Sequence, residues 1–169
     1  MAKRTLILLR HAKSDWPYGV DDEQRPLAGR GRRDAKAAAG FLAKLPAPQL
    51  VFCSPALRTR QTWQLAGQGV AKEPPVRYED DLYGATWKDL LNVVRVTPAW
   101  VEVVLVVGHE PTMSTTVEKL AGPGSSKPAL RHVATKYPTS GIAVLAVPGR
   151  WADLRAGGAA LRSFDVPRG

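Results

Sequence analysis

TLILLRHAKSDW, residues 5–16, is the stretch around which the rest of the chain is organised. Its apolar run at 6–9 changes abruptly to Arg10 and His11. A short apolar run without polar alternation is typical of a strand buried on both faces, as in a parallel sheet. The ligand crevice of open α/β sheets lies beyond the carboxyl ends of the strands, which makes Arg10 and His11 candidate functional residues. By itself, the stretch is equally compatible with an ordinary polar loop that starts at Arg10.

Apolar runs and helical patterns alternate along the rest of the chain. Further strands are predicted at 50–53, 76–78, 101–107, 142–147 and 160–165, and helices at 28–45, 56–65, 87–94, 111–120 and 128–136. This order predicts a three-layer α/β fold, in which a mostly parallel central sheet has helices on both faces. We expect an antiparallel strand near the C-terminus. The chain shows neither an internal repeat nor an interdomain linker, so a single domain is predicted over 1–169.

Composition and charge limit the possible functions. A net charge of +9 and a pI of about 10.1 favour anionic partners, such as phosphorylated substrates, acidic proteins or nucleic acid. The densest basic cluster, at Arg30, Arg32 and Arg33, falls on a predicted helix and does not by itself indicate nucleic-acid binding. No apolar run approaches the ~20 residues that a membrane span needs, and no signal-peptide core is present. We therefore predict a cytoplasmic protein without a membrane partner.

The cysteine and histidine content argues against a disulfide and against a metal site. Cys53 is the only cysteine, and its position in a predicted strand indicates a buried residue rather than a nucleophile. The three histidines, His11, His109 and His132, are far apart in sequence and lack metal-ligand spacing. We therefore predict neither a metal nor a cofactor. His132 matches no motif and is expected to be an ordinary surface or helix histidine.

Three of the predicted strands end in polar residues that one edge of a parallel sheet would gather. The first ends at Arg10 and His11, the second at Ser54 with Arg58 close behind, and the fourth at Gly108-His109. Two guanidiniums suit a phosphoryl group, because each can make paired hydrogen bonds to its oxygens. A neutral imidazole can attack phosphorus, and surrounding positive charge would lower its pKa and keep it unprotonated. Phosphoryl transfer needs little beyond such positioning and charge.

Four motifs in this order resemble the histidine phosphatase superfamily, which includes phosphoglycerate mutases and acid phosphatases. They are LRHAKSDW at 9–16, RPLAGRG at 25–31, CSPALRTRQT at 53–62 and VGHEP at 107–111. The resemblance covers nearly the whole chain and is nearest to the small SixA-like phosphohistidine phosphatases. The sequence departs from the family at Ala12, where many members have Gly, while the pair Arg10-His11 is intact.

The resemblance implies a metal-independent phosphatase with a phosphoglycerate mutase-like fold. His11 would be the nucleophile and would form a phosphohistidine intermediate that water hydrolyses. Arg10 and Arg58 would bind the phosphoryl oxygens, and His109 would donate a hydrogen bond to the transferred group.

Two residues directly after the nucleophile are further candidates for substrate contacts. Lys13 and Ser14 follow His11 in the first motif. Both are weaker predictions than the two arginines and two histidines, since only their proximity in sequence supports them. Ser54 is expected to have a structural role, in setting the turn that aims Arg58.

The short separation between the second and third motifs bears on the substrate. The 50 residues at 59–108 are needed for a strand, a helix and another strand, so little chain is left for a lid. An open pocket suits a phosphate on a protein surface, and we therefore predict removal of phosphate from phosphohistidine on proteins. Small phosphorylated metabolites remain an alternative, through phosphomonoesterase or nucleotide phosphatase activity. A non-catalytic phosphate- or nucleic-acid-binding module is a remote alternative, because it would need the arginines but no nucleophile.

The leaving group raises the question of a general acid. Expelling an alkoxide from a phosphate ester benefits from one, and family members that act on esters usually place a carboxylate near the third strand. Glu79, Asp80 and Asp81 lie near that position, so one of them is a possible acid. A solvated acidic turn is the simpler interpretation. A phosphoramidate such as phosphohistidine has a better leaving group and could react without the acid.

Overall fold

A computed structural model describes residues 3–169 of the chain. Its strands are β1 (Arg4–Arg10), β2 (Leu50–Cys53), β3 (Val76–Tyr78), β4 (Val103–Gly108), β5 (Ile142–Val147) and β6 (Ala160–Asp165). Its helices are α1 (Gly29–Leu42), α2 (Leu57–Ala66), α3 (Trp87–Arg95), α4 (Thr112–Leu120) and α5 (Lys127–Thr135). All of the predicted strands and helices are present. The domain predicted over 1–169 begins with residues 1–2, which lie outside the described residues, and it stays a prediction.

One six-stranded sheet, in the order β3-β2-β4-β1-β5-β6, forms the centre of the fold. The strands β1, β2, β3 and β4 pair in parallel, whereas β5 runs antiparallel to both β1 and β6. The predicted parallel sheet with an antiparallel strand near the C-terminus is therefore confirmed. The unbroken apolar sequences of β2 and β4 are explained by this arrangement, because both strands are buried along their whole length.

Helices cover both faces of the sheet and complete the three layers. Leu6 and Leu8 of β1 belong to a core with apolar residues of α3, α4 and α5, whereas Ile7 and Leu9 belong to a second core with α1 and α2. Successive strand residues point to opposite faces, so the single run at 6–9 supplies both cores. Among the helices at 3–169, none combines the length and apolar character that crossing a membrane requires.

Helix α1 differs from its predicted form in its end and in one buried residue. It ends at Leu42 rather than at residue 45, where backbone bonds from Lys44 to Phe41 and from Leu45 to Leu42 tighten the last turn. Its inner face buries the carboxylate of Asp34, which lies 3.4 Å from a guanidinium nitrogen of Arg168. The buried charge is thus paired, and the pair ties the C-terminal segment to α1.

The parallel register brings the carboxyl ends of three neighbouring strands to one edge of the sheet. Arg10 of β1 lies opposite Gly108 of β4, and Cys53 of β2 lies opposite Val107. The pairing continues one residue further, because the amide of His11 donates to the carbonyl of Gly108 at 3.0 Å. Residues that follow β1, β2 and β4 therefore start from fixed neighbouring positions.

Gly31 allows α1 to pack directly against the loop after β1. A Cβ at this position would overlap the carbonyl oxygen of Lys13, whereas a Cβ at Gly40 of the same helix would meet no atom within 4 Å. The backbone of Lys13 is held there by a bond from the amide of Ala28 to its carbonyl, 2.9 Å long. The close approach therefore positions the loop that carries the residues after His11.

We expect Gly31→Ala to lower the free energy of unfolding by roughly 1–3 kcal/mol, because the added methyl group overpacks a backbone contact. Gly40→Ala is the matched control, and it should raise stability by roughly 0.5–1 kcal/mol through helix propensity alone. Urea denaturation of both variants measures the two values. Equal effects of the two substitutions would contradict the packing argument.

Candidate active site

The sheet edge described above opens into a cavity of about 580 Å³. Six residues proposed from the sequence line it: Arg10, His11, Lys13, Ser14, Arg58 and His109. They come from the ends of β1 and β4 and from the first turn of α2. The structure thus brings together side chains that are up to about a hundred residues apart in sequence.

His11 is buried, and its hydrogen bonds fix its tautomer. Its Nδ1 lies 2.7 Å from the backbone carbonyl oxygen of Ala12. A carbonyl oxygen only accepts hydrogen bonds, so Nδ1 must carry the hydrogen and donate it. The lone pair of the neutral ring is therefore on Nε2. The amide of Ala12 in turn donates to the hydroxyl of Thr62 on α2 at 2.9 Å, which holds the loop that sets this tautomer.

His109 lies beside His11, with 5.3 Å between the two ring centroids. Its Nε2 is 2.7 Å from the hydroxyl oxygen of Ser54, which is fully buried at the end of β2. The amide of Ser54 donates to the carbonyl of Val107 at 3.1 Å, so the sheet fixes the position of this hydroxyl. Ser54 therefore contacts His109 directly, in addition to lying in the turn before Arg58.

Three guanidiniums of the cavity have donors that are not used within the fold. The Nε atoms of Arg10, Arg25 and Arg58 are buried and have no hydrogen-bond partner among residues 3–169. Buried donors without a partner are rare in native proteins. Guanidinium groups bind the oxygens of a tetrahedral oxyanion in pairs, so such an anion suits a cavity lined by three of them.

Arg25 was not proposed from the sequence as a site residue. It is buried, its Nη2 donates to the hydroxyl of Ser14 at 2.5 Å, and its guanidinium stacks 3.5 Å from the ring centroid of Trp16. The sequence feature that points to Arg25 is its position as the first residue of the RPLAGRG motif. Ser14 is thus occupied as a partner of Arg25, whereas Lys13 is exposed at the mouth of the cavity.

Asp22 and Tyr83 also line the cavity without having been proposed. Two groups of Asp22 bind the end of the Arg58 guanidinium: the backbone carbonyl accepts from Nη1 at 2.7 Å, and Oδ2 accepts from Nη2 at 3.0 Å. The hydroxyl of Tyr83 donates to the same Oδ2. Arg58 and Tyr83 lie 36 and 61 residues from Asp22, so no local pattern predicts this contact.

The acidic cluster at Glu79, Asp80 and Asp81 lies away from the cavity wall. Asp80 and Asp81 are exposed in a short 3-10 turn, which agrees with the interpretation as a solvated acidic turn. The carboxylates on the wall are those of Asp22 and Glu110. Both carboxylate oxygens of Glu110 accept hydrogen bonds from Ser114, one from its amide at 2.6 Å and one from its hydroxyl at 2.7 Å.

The two residues that the sequence excluded from catalysis also lie outside the cavity wall. Cys53 is buried in β2, and burial raises the pKa of its thiol to about 12. A thiol with such a pKa is protonated near neutrality, so it is a poor nucleophile. His132 is exposed on α5, where its ring packs edge-on against Phe164.

Both histidines of the cavity are neutral near pH 7. Burial lowers the pKa of His11 to about 3, with smaller contributions from His109, Arg10 and Arg58. Burial also lowers the pKa of His109 to about 4, followed by the charge of Arg58. The predicted direction of the His11 shift is confirmed, but desolvation is a larger cause than the surrounding positive charge.

The donor set fits an oxyanion better than a metal ion. Within the part of the chain that the structure describes, no three His, Cys, Asp or Glu side chains gather as a metal site requires. The cavity combines the guanidiniums of Arg10, Arg25 and Arg58 with a neutral imidazole whose Nε2 carries the lone pair. Such a set can hold a phosphoryl group and attack it.

Comparisons with known proteins agree with this chemistry. Residues 6–94 match the family model described as "Histidine phosphatase superfamily (branch 1)". "Uncharacterized protein Rv1276c" of Mycobacterium tuberculosis is 47% identical over 162 residues, which span 95% of this chain and 100% of that protein. A solved structure of "Putative Phosphohistidine Phosphatase SixA from Nakamurella multipartitia" is 38% identical, covers 99% of this chain and 98% of its own, and has a TM-score of 0.87.

The fold is also shared with a phosphatase of a phosphorylated small molecule. The structure of mycobacterial glucosyl-3-phosphoglycerate phosphatase Rv2419c covers 95% of this chain and 98% of its own, with a TM-score of 0.67. Its sequence identity of 17% supports a common fold alone. The phosphoglycerate mutase-like architecture predicted from the motifs is confirmed by these structural matches.

The buried neutral histidines predict that acid destabilises the protein. Each has a folded-state pKa below the ordinary 6.5, so the unfolded chain binds a proton first as the pH falls. The free energy of unfolding should therefore decrease between pH 6.5 and pH 4, by about 1.4 kcal/mol per pH unit for each histidine. His11→Gln should reduce the pH dependence of the free energy of unfolding by about 1.4 kcal/mol per pH unit, the contribution of one histidine.

Urea denaturation at a series of pH values measures the slope, and His132→Gln is the control because it removes an exposed histidine. Carboxylates also titrate in this range, but their contribution is common to the wild type and to both variants. The same slope in wild type and His11→Gln would show that His11 does not stay neutral in the folded protein.

Proposed function

Because the chain belongs to the histidine phosphatase superfamily and is a phosphatase, we propose that His11 carries the phosphoryl group as a covalent intermediate and that the physiological substrate is phosphohistidine on a protein. The observation that carries the mechanism is the tautomer of His11. The bond from Nδ1 to the carbonyl of Ala12 leaves the lone pair on Nε2, and the low pKa keeps the ring unprotonated.

In the first step, the phosphoryl group binds against the guanidiniums of Arg10 and Arg58, with Arg25 as a third donor. The Nε2 atom of His11 attacks phosphorus in line, and the bond from phosphorus to the leaving atom breaks. His109 donates a hydrogen bond to the transferred group. The hydroxyl of Ser54 donates to Nε2 of His109 in this mechanism. The ring hydrogen is therefore on Nδ1, and Nδ1 donates to the transferred group.

In the second step, water attacks the phosphorus of phosphorylated His11. The N–P bond breaks, inorganic phosphate leaves, and the ring returns to its neutral form with the hydrogen on Nδ1. The carbonyl of Ala12 accepts from Nδ1 throughout, so the same bond that exposes Nε2 also stabilises the positive charge that the phosphorylated ring develops.

The carboxylates of the cavity support a phosphoramidate substrate. The hydrogen bond from Tyr83 and the contacts with Arg58 lower the pKa of Asp22, so this carboxylate is ionised at neutral pH and holds no proton to donate. Glu110 has both oxygens bonded to Ser114. Phosphohistidine that is protonated on its other ring nitrogen expels a neutral imidazole, and this leaving group does not need a general acid.

The surface around the cavity supports a protein as the carrier of the phosphoryl group. Trp16, on the cavity wall, is 76% exposed, and the same loop exposes Tyr18 and Val20. Tyr18 is fully exposed and is not part of the wall, so a small substrate in the cavity would not reach it. Exposed aromatic residues beside a site are typical of a macromolecular contact.

The mechanism predicts that His11→Ala abolishes hydrolysis of both a phosphohistidine-bearing protein and p-nitrophenyl phosphate, by at least about a thousandfold in kcat. Both assays are run with EDTA, and His132→Ala is the control, which should retain full activity. An acid-labile phosphoenzyme should be trapped with the wild type and not with His11→Ala. Full activity of His11→Ala would overturn the mechanism.

The proposed substrate class predicts a different effect of the exposed loop on the two substrates. Tyr18→Ser combined with Val20→Ser should lower kcat/KM for the phosphohistidine-bearing protein by about tenfold, the effect of losing one or two interface contacts. Activity on p-nitrophenyl phosphate should not change. The matched control is Val96→Ser with Trp100→Ser, which removes exposed apolar side chains outside the cavity wall. Loss of activity on both substrates would contradict a docking role and favour a small-molecule phosphatase.

A further inference from the structure

Asp22 is an ionised group on the cavity wall that several side chains bind. Its side chain is 48% exposed, yet it is bound by Arg58 and Tyr83, and Oδ1 lies 3.6 Å from Nη1 of Arg25. Three segments of the chain therefore hold one carboxylate, which gives a fixed negative charge on the cavity wall. Asp21 and Glu23, its neighbours in sequence, are exposed and do not line the cavity.

The proposed reaction directs the leaving group towards this carboxylate. His11 is only 7% exposed, whereas the side chain of Asp22 is 48% exposed, so His11 lies deeper in the cavity wall than Asp22 does. An in-line displacement places the leaving group on the side of phosphorus opposite to the attacking Nε2. The leaving group therefore points outward, to the part of the cavity where Asp22 is exposed.

Asp22 supplies a negative charge to the exposed part of the wall, beside the positive charges of Arg25 and Arg58. Glu110 binds the amide and hydroxyl of Ser114 at the start of α4, so the N-terminus of that helix offsets its charge. Arg10 and Arg58 contact the phosphoryl group itself in the proposed reaction. Lys13 is exposed, whereas Asp22 is bound by Arg58, Tyr83 and Arg25.

We propose that Asp22 is a specificity-determining residue that selects against leaving groups carrying a negative charge. The inference rests on the proposed function, since it concerns the leaving group of the same reaction. A fixed carboxylate repels an anion in the partly desolvated mouth of a cavity, and it favours a neutral or cationic group such as imidazole. The substrates disfavoured are therefore phosphorylated carboxylic acids and nucleoside polyphosphates.

The test compares phenyl phosphate with 4-carboxyphenyl phosphate, two substrates that differ by one carboxylate on the leaving group. We expect wild type to prefer phenyl phosphate. Asp22→Asn should reduce the ratio of kcat/KM for phenyl phosphate to kcat/KM for 4-carboxyphenyl phosphate about fivefold, because one nearby negative charge is lost. Asparagine keeps an oxygen that accepts from Arg58, so the substitution removes the charge without removing the acceptor. Intrinsic differences between the two leaving groups cancel in the comparison of ratios.

Asp21→Asn is the matched control, because it makes the same change of charge one residue away, outside the cavity wall. Its ratio should equal that of wild type. A second measurement needs no variant: raising the salt concentration from about 0.05 M to about 0.5 M should weaken the preference of wild type, since salt screens an exposed charge.

The outcomes separate this inference from the proposed mechanism. Equal ratios for wild type and Asp22→Asn, with hydrolysis that still depends on His11, would overturn the role of Asp22 alone. An equal shift in Asp21→Asn would also overturn it, because the effect would then come from net charge rather than from the fixed carboxylate. Hydrolysis that persists in His11→Ala would instead overturn the mechanism on which the inference rests.

Discussion

The parallel hydrogen bonding of β1, β4 and β2 is the constraint on which the site depends. It fixes Arg10 opposite Gly108 and Cys53 opposite Val107, and it extends past the strands through the amides of His11 and Ser54. The residues that follow the three strands therefore begin only one strand spacing apart. Because two cores bury these strands on both faces, the sheet holds the two imidazoles and the buried hydroxyl next to one another.

Burial of the side chains gives the site its chemistry and also lowers the stability of the folded protein. It keeps His11 and His109 neutral, and it leaves three guanidinium Nε donors without partners in the described chain. Each unpartnered donor lowers the stability of the folded state, and each neutral histidine makes the protein sensitive to acid. The same features provide a nucleophile and prearranged donors for a phosphoryl group, so stability is given up where the reaction needs positioned charge.

The loop between β1 and α1 joins the separate parts of the site. It supplies Asp22, Arg25 and Trp16, and its contacts reach Arg58 on α2 and Tyr83 after β3. Gly31 allows α1 to pack directly against the backbone of Lys13 at the start of this loop, so the helix contacts the segment that supplies part of the cavity wall. These contacts hold the charge of Asp22, so in our proposal the loop contributes to substrate selectivity as well as to the structure of the site.

The sequence by itself determined the order of strands and helices, and it predicted four residues that the structure brings to one cavity: Arg10, His11, Arg58 and His109. Unbroken apolar runs define buried strands, and the polar residues that end them are visible without knowledge of any partner. Only the tertiary structure revealed Asp22 and Tyr83, because their partners lie 36 and 61 residues away and the contacts exist only after the sheet has formed. It also decided that burial, rather than positive charge, is the main cause of the low pKa of His11, since desolvation depends on the whole fold around a side chain.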